Sequence, residues 1–144
     1  MKKIPRVAIG TDHAGYPLKE IIKKHLFDRG IDVIDEGTFS EEQVDYPPFI
    51  RKACAVVLEQ KCPGIVFGGS GIGESIAANK VRGIRAARCC TVDDAIITRQ
   101  HNDANVLSLG GRMLDPELAK KMVDAFLETE FEGGRHVKRI EDLE

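Results

Sequence analysis

The chain has 144 residues, a length typical of one globular domain with a hydrophobic core of its own. Charged residues make up 31% of the chain and its formal net charge is −2, which argues against general binding to nucleic acids or membrane surfaces. No apolar run approaches the roughly 20 residues of a membrane span, and the first apolar run is too short for a signal peptide. We therefore expect one cytoplasmic domain over residues 1–144, with no nucleic-acid or membrane partner.

Short apolar runs, typical of buried strands, alternate along the chain with segments whose apolar residues keep helical spacing. Strands are expected at residues 6–12, 31–35, 64–69, 85–89 and 105–111. Helices are expected to start at Pro17, near Phe49, after the glycine-rich stretch that follows the third strand, at Thr91, at Pro116, and in the charged tail from Arg135. Residues 36–47 are expected to form a polar loop. The alternation predicts an α/β fold with a five-stranded parallel sheet covered on both faces, because right-handed crossovers place helices there.

Candidate site residues follow three of these strands at their carboxyl ends, where open parallel sheets bind their ligands. Asp12 and His13 follow the first strand, the glycine-rich stretch 68–75 follows the third, and Arg112 follows the fifth. Because the carboxyl ends of parallel strands meet at one edge of a sheet, we expect these residues to lie close together.

The glycine-rich stretch departs from a known pattern at one position. Residues 68–75 read GGSGIGES and fit a phosphate-binding loop except at the lysine, where the chain has Glu74. The backbone N–H groups of such a loop suit a phosphate, and they suit equally an oxyanion that forms on a substrate. A carboxylate beside oxyanion donors is expected of a base that removes a proton from carbon. The alternative is that Glu74 only stabilises the start of the following helix through the helix dipole.

Two pairs of polar residues could take part in chemistry, and each has a structural alternative. Asp12 and His13 could bind a substrate, or could serve as a turn residue and a structural hydrogen-bonding group. His101 and Asn102 follow the fourth helix, so the fold alone does not bring them to the carboxyl edge of the sheet. They offer an acid that titrates near neutral pH and an amide donor for an oxyanion, although a lone histidine is more often structural or exposed.

The charged tail carries Arg135 and Arg139, which are four residues apart and therefore share one face of a helix. Such a pair can hold a phosphate dianion, but a solvated basic face is the commoner explanation. His25, which follows two lysines in the first helix, is expected to be a solvated surface residue. A carboxylate base, oxyanion donors, a histidine acid and an arginine clamp together suit proton transfer on a sugar phosphate. They do not suit phosphoryl or hydride transfer.

The four cysteines are expected to be buried or half-buried thiols in a reducing compartment: Cys54, Cys62, Cys89 and Cys90. The sequence has no C-x-x-C motif and no cysteine–histidine cluster with zinc spacing, so we expect no metal and no cofactor. Cys89 and Cys90 are expected to end the fourth strand, with one thiol on each side of the sheet.

With these residues in place, the chain resembles the family of ribose-5-phosphate isomerase B and the galactose-6-phosphate and allose-6-phosphate isomerases. The resemblance rests on segments that occur in this order along nearly the whole chain: GTDHAGYPLKE, VIDEGT, VDYP, GGSGIGESIAANK, GIRAA, RQHNDANVLSLGGR and EGGRHVKRI. It implies a Rossmann-like three-layer α/β/α sandwich, and a homodimer or homotetramer whose active sites are shared between subunits. The C-terminal helical tail, about residues 135–144, would then contact a partner subunit.

The resemblance also implies how these residues bind a sugar phosphate. Asp12 and His13 would bind the sugar, Tyr46 would lie near it, and Asn102 would bind a substrate oxygen. The anion hole would be formed by Gly69, Ser70, Gly71, Ile72 and Gly73. The phosphate would be held by Arg112, Arg135 and Arg139.

The catalytic roles implied by the resemblance fall to two residues. One branch of the family uses a cysteine base at the position of Gly68, whereas the other places a glutamate at the position of Glu74, so Glu74 would be the base here. His101 would open the furanose ring. The implied reaction is the metal-free interconversion of ribose 5-phosphate and ribulose 5-phosphate through a cis-enediolate. Two alternatives are an isomerase of a six-carbon sugar phosphate and a non-catalytic phosphometabolite-binding module.

Overall fold

The computed structural model describes residues 4–144, and its strands form one parallel sheet in the order β2-β1-β3-β5-β4. The strands are β1 (Arg6–Thr11), β2 (Asp32–Asp35), β3 (Gly64–Gly68), β4 (Ala86–Arg88) and β5 (Val106–Gly110). The helices are α1 (Tyr16–Asp28), α2 (Tyr46–Gln60), α3 (Ile72–Asn79), α4 (Val92–Asn102), α5 (Pro116–Glu128) and α6 (His136–Glu141). None of these helices has the length and apolar character needed to cross a membrane. The predicted fold is confirmed, with every strand within one residue of its expected ends.

Helices cover both faces of the sheet because successive residues of each strand point to opposite sides. Val7 and Ile9 of β1 pack with apolar residues of α1, α4 and α5 in one core. Ala8 of β1 and Val66 of β3 pack with residues of α2 and α3 in the other core. The central strands β3 and β5 are buried along their whole length, so they hold in place the loops that leave their carboxyl ends.

Two predicted boundaries are wrong. Helix α2 begins at Tyr46, inside the expected loop, because the two prolines that follow have a backbone already suited to a first helical turn. Strand β4 ends at Arg88, so Cys89 and Cys90 follow the strand rather than end it. The Cys90 N–H donates to the Asp94 carboxylate (3.0 Å) at the start of α4, which turns the chain away from the sheet.

The prediction for His25 is also wrong, because this residue is not a solvated surface histidine. Its Nε2 lies 2.7 Å from Asp124 Oδ1 and its side chain is 19% exposed. Arg29 donates to the same carboxylate oxygen and to Glu128. This cluster of charges joins α1 to α5, and its members are too far apart in sequence for local spacing to reveal the pairing.

A buried lysine joins α1 to the end of β2. The Lys19 side chain is inaccessible to solvent, and its ammonium donates to Asp35, which also accepts a hydrogen bond from Lys23 (2.9 Å). The ammonium also lies 4.9 Å from the centre of the Phe39 ring. Burial acts to raise the pKa of Asp35, but the hydrogen bonds from the two lysines lower it. The fold therefore depends on this carboxylate being ionised.

We predict that Asp35→Asn lowers the free energy of unfolding by about 3 kcal/mol at neutral pH, because the buried Lys19 ammonium loses its anionic partner. A lowered folded pKa stabilises the native state above the unfolded pKa of about 3.9, and this contribution is lost as the pH falls through the folded value. Urea unfolding at neutral pH and at about pH 3 should therefore show a difference that shrinks in acid. The control Asp32→Asn, at the exposed start of β2, should change little. A difference that does not vary with pH would contradict the prediction.

Candidate active site

Hydrogen bonds fix the backbone of the glycine-rich loop between β3 and α3. Arg88 Nε donates to the Ser70 carbonyl oxygen (3.0 Å), and Ser108 Oγ donates to the Gly71 carbonyl oxygen (2.7 Å). The Ile72 N–H donates to Ser70 Oγ (3.1 Å). Gly71 has a φ of 79°, and a Cβ at this position would come within 3.0 Å of the backbone of β5, so only glycine fits. These anchors hold the start of α3, whose first N–H groups have no acceptor within the helix, in one orientation.

The Glu74 side chain is buried and folds back over the end of β3. Only 4% of the residue is exposed, and a Cβ on Gly68 would overlap its carboxylate. Burial raises the pKa of Glu74, and the nearby Asp12 carboxylate raises it further, while the N–H groups of Glu74 and Gly71 act in the opposite direction. No ion pair within residues 4–144 involves Glu74. A buried carboxylate without a cation, beside N–H donors, is suited to accept a proton from carbon.

Tyr46 and Arg112 approach the loop at two of its glycines. A Cβ on Gly73 would lie 2.7 Å from the Tyr46 hydroxyl, and a Cβ on Gly69 would lie 3.5 Å from Arg112 Cδ. The absence of a side chain at Gly73 therefore lets the phenol reach the start of α3. The Arg112 side chain places a positive charge at the same edge of the sheet as the loop.

Asp12 and His13 each make a structural hydrogen bond, as expected if Asp12 is a turn residue and His13 a structural hydrogen-bonding group. Asp12 is buried and its Oδ1 accepts a hydrogen bond from the Gly15 N–H (2.9 Å), which closes a turn. The Val44 N–H donates to His13 Nδ1 (3.1 Å). These contacts fix both side chains while using one polar atom of each. A role in binding the sugar therefore remains open to the other atoms, Oδ2 and Nε2.

The residues around the loop form one set, which we call the loop group: Asp12, His13, Tyr46, residues 69–73, Glu74 and Arg112. A second set, the tail group, lies at the end of α4 and in and beside α6: His101, Asn102, Arg135, His136 and Arg139. Four members of the tail group line one surface cleft: His101, Asn102, His136 and Arg139. The rings of His101 and His136 stack, with their centroids 4.4 Å apart. Desolvation lowers the pKa of His136, and the positive charge of Arg135 lowers it further.

The two groups lie at opposite edges of the sheet. Helix α4 leads into β5, so His101 and Asn102 lie at the amino end of that strand, whereas the loop group lies at the carboxyl ends. Strands rise by about 3.3 Å per residue, so the length of β5 separates the groups by roughly 15 Å. No hydrogen bond or ion pair in the described part of the chain joins them. One chain therefore assembles the loop group and leaves the tail group at a distance.

Three residues that contact these groups or belong to them were not predicted from the sequence: Arg88, Ser108 and His136. Arg88 ends β4 at the carboxyl edge of the sheet, and this position could have marked it as a residue near the site. Ser108 is the only polar residue in the buried strand VLSLG, which could have marked it as a hydrogen-bonding group. His136 stands beside Arg135 in the tail, and no spacing in the sequence marks it as a partner of His101.

The chain matches the model of one protein family, described as ribose/galactose isomerase, over residues 7–143. The chain belongs to the ribose/galactose isomerase family. This membership confirms the family resemblance that the sequence segments predicted.

Members of the ribose/galactose isomerase family are similar to this chain over nearly its whole length. The ribose-5-phosphate isomerase B of Escherichia coli (strain K12) is 50% identical over 99% of this chain and 95% of its own. The crystal structure of a ribose 5-phosphate isomerase from Thermotoga maritima has a TM-score of 0.94 and 49% identity, covering 96% of each chain. The structure of ribose-5-phosphate isomerase B from Mycoplasma genitalium with bound ribulose-5-phosphate has a TM-score of 0.91 and 38% identity, covering 96% of this chain and 93% of its own.

We predict that Glu74→Gln raises the melting temperature at neutral pH. Because the pKa of Glu74 is raised in the folded state, the native protein binds a proton more readily than the unfolded chain does. Above the unfolded pKa of about 4.3, the ionised Glu74 therefore lowers the stability of the fold. Thermal unfolding at neutral pH and at about pH 4 should show a gain that shrinks toward the lower pH. The control Glu117→Gln, in the exposed first turn of α5, should change little. A variant less stable than the native chain at neutral pH would overturn this reading of Glu74.

Proposed function

We propose that this protein is an aldose–ketose isomerase that interconverts ribose 5-phosphate and ribulose 5-phosphate, with Glu74 as the base. The observation that carries the proposal is the position of the Glu74 carboxylate, which fills the space that a side chain at Gly68 would occupy. The family resemblance implies that relatives with a cysteine base carry it at this loop position, so the carboxylate would take the place of their thiol beside the same loop. The substrate follows from the names of relatives that are about half identical to this chain, and from the ribulose-5-phosphate bound in one of the similar structures.

The proposed chemistry moves protons and needs no redox partner. Glu74 removes the proton from C2 of the open-chain aldose, and the negative charge that develops on O1 is stabilised by N–H groups of the loop at the start of α3. The proton then returns from Glu74 to C1, while a proton moves from O2 to O1, which leaves a ketose. The raised pKa of Glu74 supports this role, because a base works best when its pKa lies closer to the working pH.

Ring opening is a separate step, and we assign it to the tail group. His101 would pass the proton of the anomeric hydroxyl to the ring oxygen, and Asn102 would bind a substrate oxygen. The phosphate would be held by Arg112, Arg135 and Arg139. Since the tail group of one chain lies at the wrong edge of the sheet, its residues (His101, Asn102, Arg135 and Arg139) would come from a second copy in a homodimer or homotetramer, whereas Arg112 would come from the chain that supplies Glu74.

Exposed apolar side chains near the loop support assembly with a second copy. Ile72 and Ile76 are four residues apart and therefore lie on the same face of α3, where they are 49% and 56% exposed. Met113, which follows β5 at the same edge of the sheet, is 61% exposed. A homodimer that covered these side chains would bury apolar surface and bring the partner's tail group, about residues 135–144, to the loop group.

Two other functions are less well supported. A six-carbon sugar phosphate would need the same chemistry, but the relatives cited above are named for ribose 5-phosphate. A non-catalytic phosphometabolite-binding module would gain nothing from a buried carboxylate that faces the anion-binding loop. The proposal includes a cytoplasmic location, since charged sugar phosphates do not cross membranes unaided.

We predict that the purified protein interconverts the two pentose phosphates and that Glu74→Gln lowers the rate of the chemical step at least about 100-fold, because it removes the general base. Turnover with ribose 5-phosphate and exchange of the C2 proton with deuterated solvent should fall together. Glu117→Gln, a glutamate in the first turn of another helix, is the control and should keep full activity. Activity of Glu74→Gln within a few-fold of the native protein would exclude Glu74 as the base.

Mixing two inactive variants tests whether the sites are shared. In Glu74→Gln the loop group is defective, and in His101→Asn the tail group is defective. If each site combines groups from two chains, a mixed dimer keeps one intact site. Random reassortment of equal amounts should then restore about a quarter of the native activity.

A second mixture is the control for this experiment. Glu74→Gln and Arg112→Ala both alter the loop group, so none of their mixed dimers has an intact site and no activity should return. No recovery in the first mixture, after complete exchange of subunits, would show that each active site is built from one chain. The sharing hypothesis would then fail even if the isomerase activity itself were established.

A further inference from the structure

Three potential metal ligands converge where the chain folds back from α5 onto the end of α4. Glu132 Oε1 lies 3.8 Å from His101 Nε2 and 3.8 Å from His136 Nε2, and all three ligand atoms lie within 4.8 Å of one another. The His136 side chain is 5% exposed, and its Nε2 has no hydrogen-bond partner within residues 4–144. A buried nitrogen without a partner is uncommon in folded proteins, and here it faces two other good ligands.

The backbone holds these three side chains together. The Glu132 N–H donates to the carbonyl oxygen of Gln100 (3.1 Å), next to His101 on α4. Two glycines with positive φ, 71° and 57°, follow Glu132, and they turn the chain into α6 so that His136 returns to the same place. The His136 N–H closes this turn on the Gly133 carbonyl oxygen (3.2 Å). The cluster is therefore formed by the fold itself and does not depend on a chance meeting of long side chains.

We propose that His101, Glu132 and His136 bind a divalent transition-metal ion of the Zn²⁺ class. Two imidazoles and one carboxylate are a ligand set that Zn²⁺ uses, with a fourth position left to water. Mg²⁺ and Ca²⁺ do not fit, because they prefer oxygen ligands. Ligands at about 2.0–2.1 Å from a tetrahedral ion lie roughly 3.4 Å apart, so each of the two 3.8 Å distances from Glu132 must shorten by about half an ångström.

The exposure of the three side chains shows which of them would move. His136 is buried and would be the fixed ligand, whereas His101 and Glu132 are 39% and 49% exposed and can adjust. The His101 ring, now nearly parallel to that of His136 at 15°, would turn so that both nitrogens face the ion. The same two exposed side chains leave a route for the ion from solvent.

Metal binding would have a consequence for catalysis, and this consequence rests on the proposed function. A metal ion on His101 Nε2 takes the lone pair that would otherwise accept a proton during ring opening. Zn²⁺ should therefore inhibit turnover of ribose 5-phosphate, while leaving the buried Glu74 at the opposite edge of the same chain untouched. Transition-metal ions would act as reversible inhibitors of the enzyme.

Direct binding of Zn²⁺ to the full, untagged chain tests the site without any activity measurement. Competition with a chromophoric chelator should show one Zn²⁺ per chain in this site. Losing a residue that only hydrogen-bonds to a metal ligand commonly weakens metal binding about 10- to 100-fold. Glu132 and His136 would contact the ion directly, so Glu132→Gln and His136→Gln should each weaken Zn²⁺ binding at least 10-fold. Glu130→Gln alters an exposed carboxylate two residues away and should leave the affinity unchanged. Zn²⁺ binding that is absent, or equal in all variants, would overturn the proposal.

The free cysteines provide the main competing ligands, and Co²⁺ distinguishes them. Cys90 is partly exposed, and a Co²⁺–thiolate bond gives an intense near-ultraviolet charge-transfer band. Co²⁺ bound by imidazole and carboxylate should show only weak visible bands, and these should disappear in His136→Gln. A thiolate band that persists in His136→Gln would place the metal on cysteine and refute the site.

The activity measurement then tests the consequence separately. Zn²⁺ should inhibit the native enzyme, a chelator should reverse the inhibition, and inhibition of Glu132→Gln should need at least 10-fold more Zn²⁺, because that variant binds the ion more weakly. Zn²⁺ bound at this site without inhibition would show that His101 does not act through Nε2, while the metal site itself would stand. Absence of isomerase activity in the metal-free protein would count against the proposed function alone.

Discussion

The packing of the Glu74 carboxylate against Gly68, which has no side chain, is the constraint on which the rest of the site depends. A residue with a Cβ at position 68 would force the carboxylate out of the space beside the loop. The loop must also turn from strand to helix within four residues, which requires the left-handed backbone of Gly71. Arg88 and Ser108 hold the two carbonyls of that turn, and the buried strands β3 and β5 hold its ends. The whole core of the fold thus fixes the position of one carboxylate.

Asp35 and Glu74 are both carboxylates with little exposed side-chain surface, and their surroundings differ with their roles. Asp35 accepts hydrogen bonds from two lysines, so its pKa is lowered and its charge stabilises the fold. Glu74 has backbone N–H groups near it and no cationic partner in the described chain, so burial dominates and its pKa is raised. A cation beside Glu74 would stabilise the ionised form and make it a weaker base. The uncompensated burial therefore lowers stability while favouring proton transfer, a trade-off common at active sites.

Hydrophobic spacing in the sequence predicts the sheet well, because it is a local pattern. The rule that ligands bind at the carboxyl ends of parallel strands brings Asp12, the glycine-rich stretch and Arg112 to one edge, whereas Tyr46 was expected there only from the family resemblance. Pairings between distant parts of the chain could not be predicted. The contact of His25 with Asp124 spans 99 positions, and that of His101 with His136 depends on how α6 folds back onto α4. The position of Cys90 beyond the end of β4 could not be predicted either, because it depends on the hydrogen bond that the Cys90 N–H donates to the Asp94 side chain.

If the tail group of a second copy completes the site, the subunit interface determines which sugar fits. In the proposed function the loop group would act at C1 and C2, whereas Arg135 and Arg139 would hold the phosphate at the other end of the substrate. The loop group is fixed by the core of its own chain, so the distance between base and phosphate site depends on how two copies pack. Five- and six-carbon substrates differ mainly in that distance. Within a family that acts on both ribose and galactose phosphates, small shifts of the interface could therefore change the substrate without altering the chemistry at Glu74.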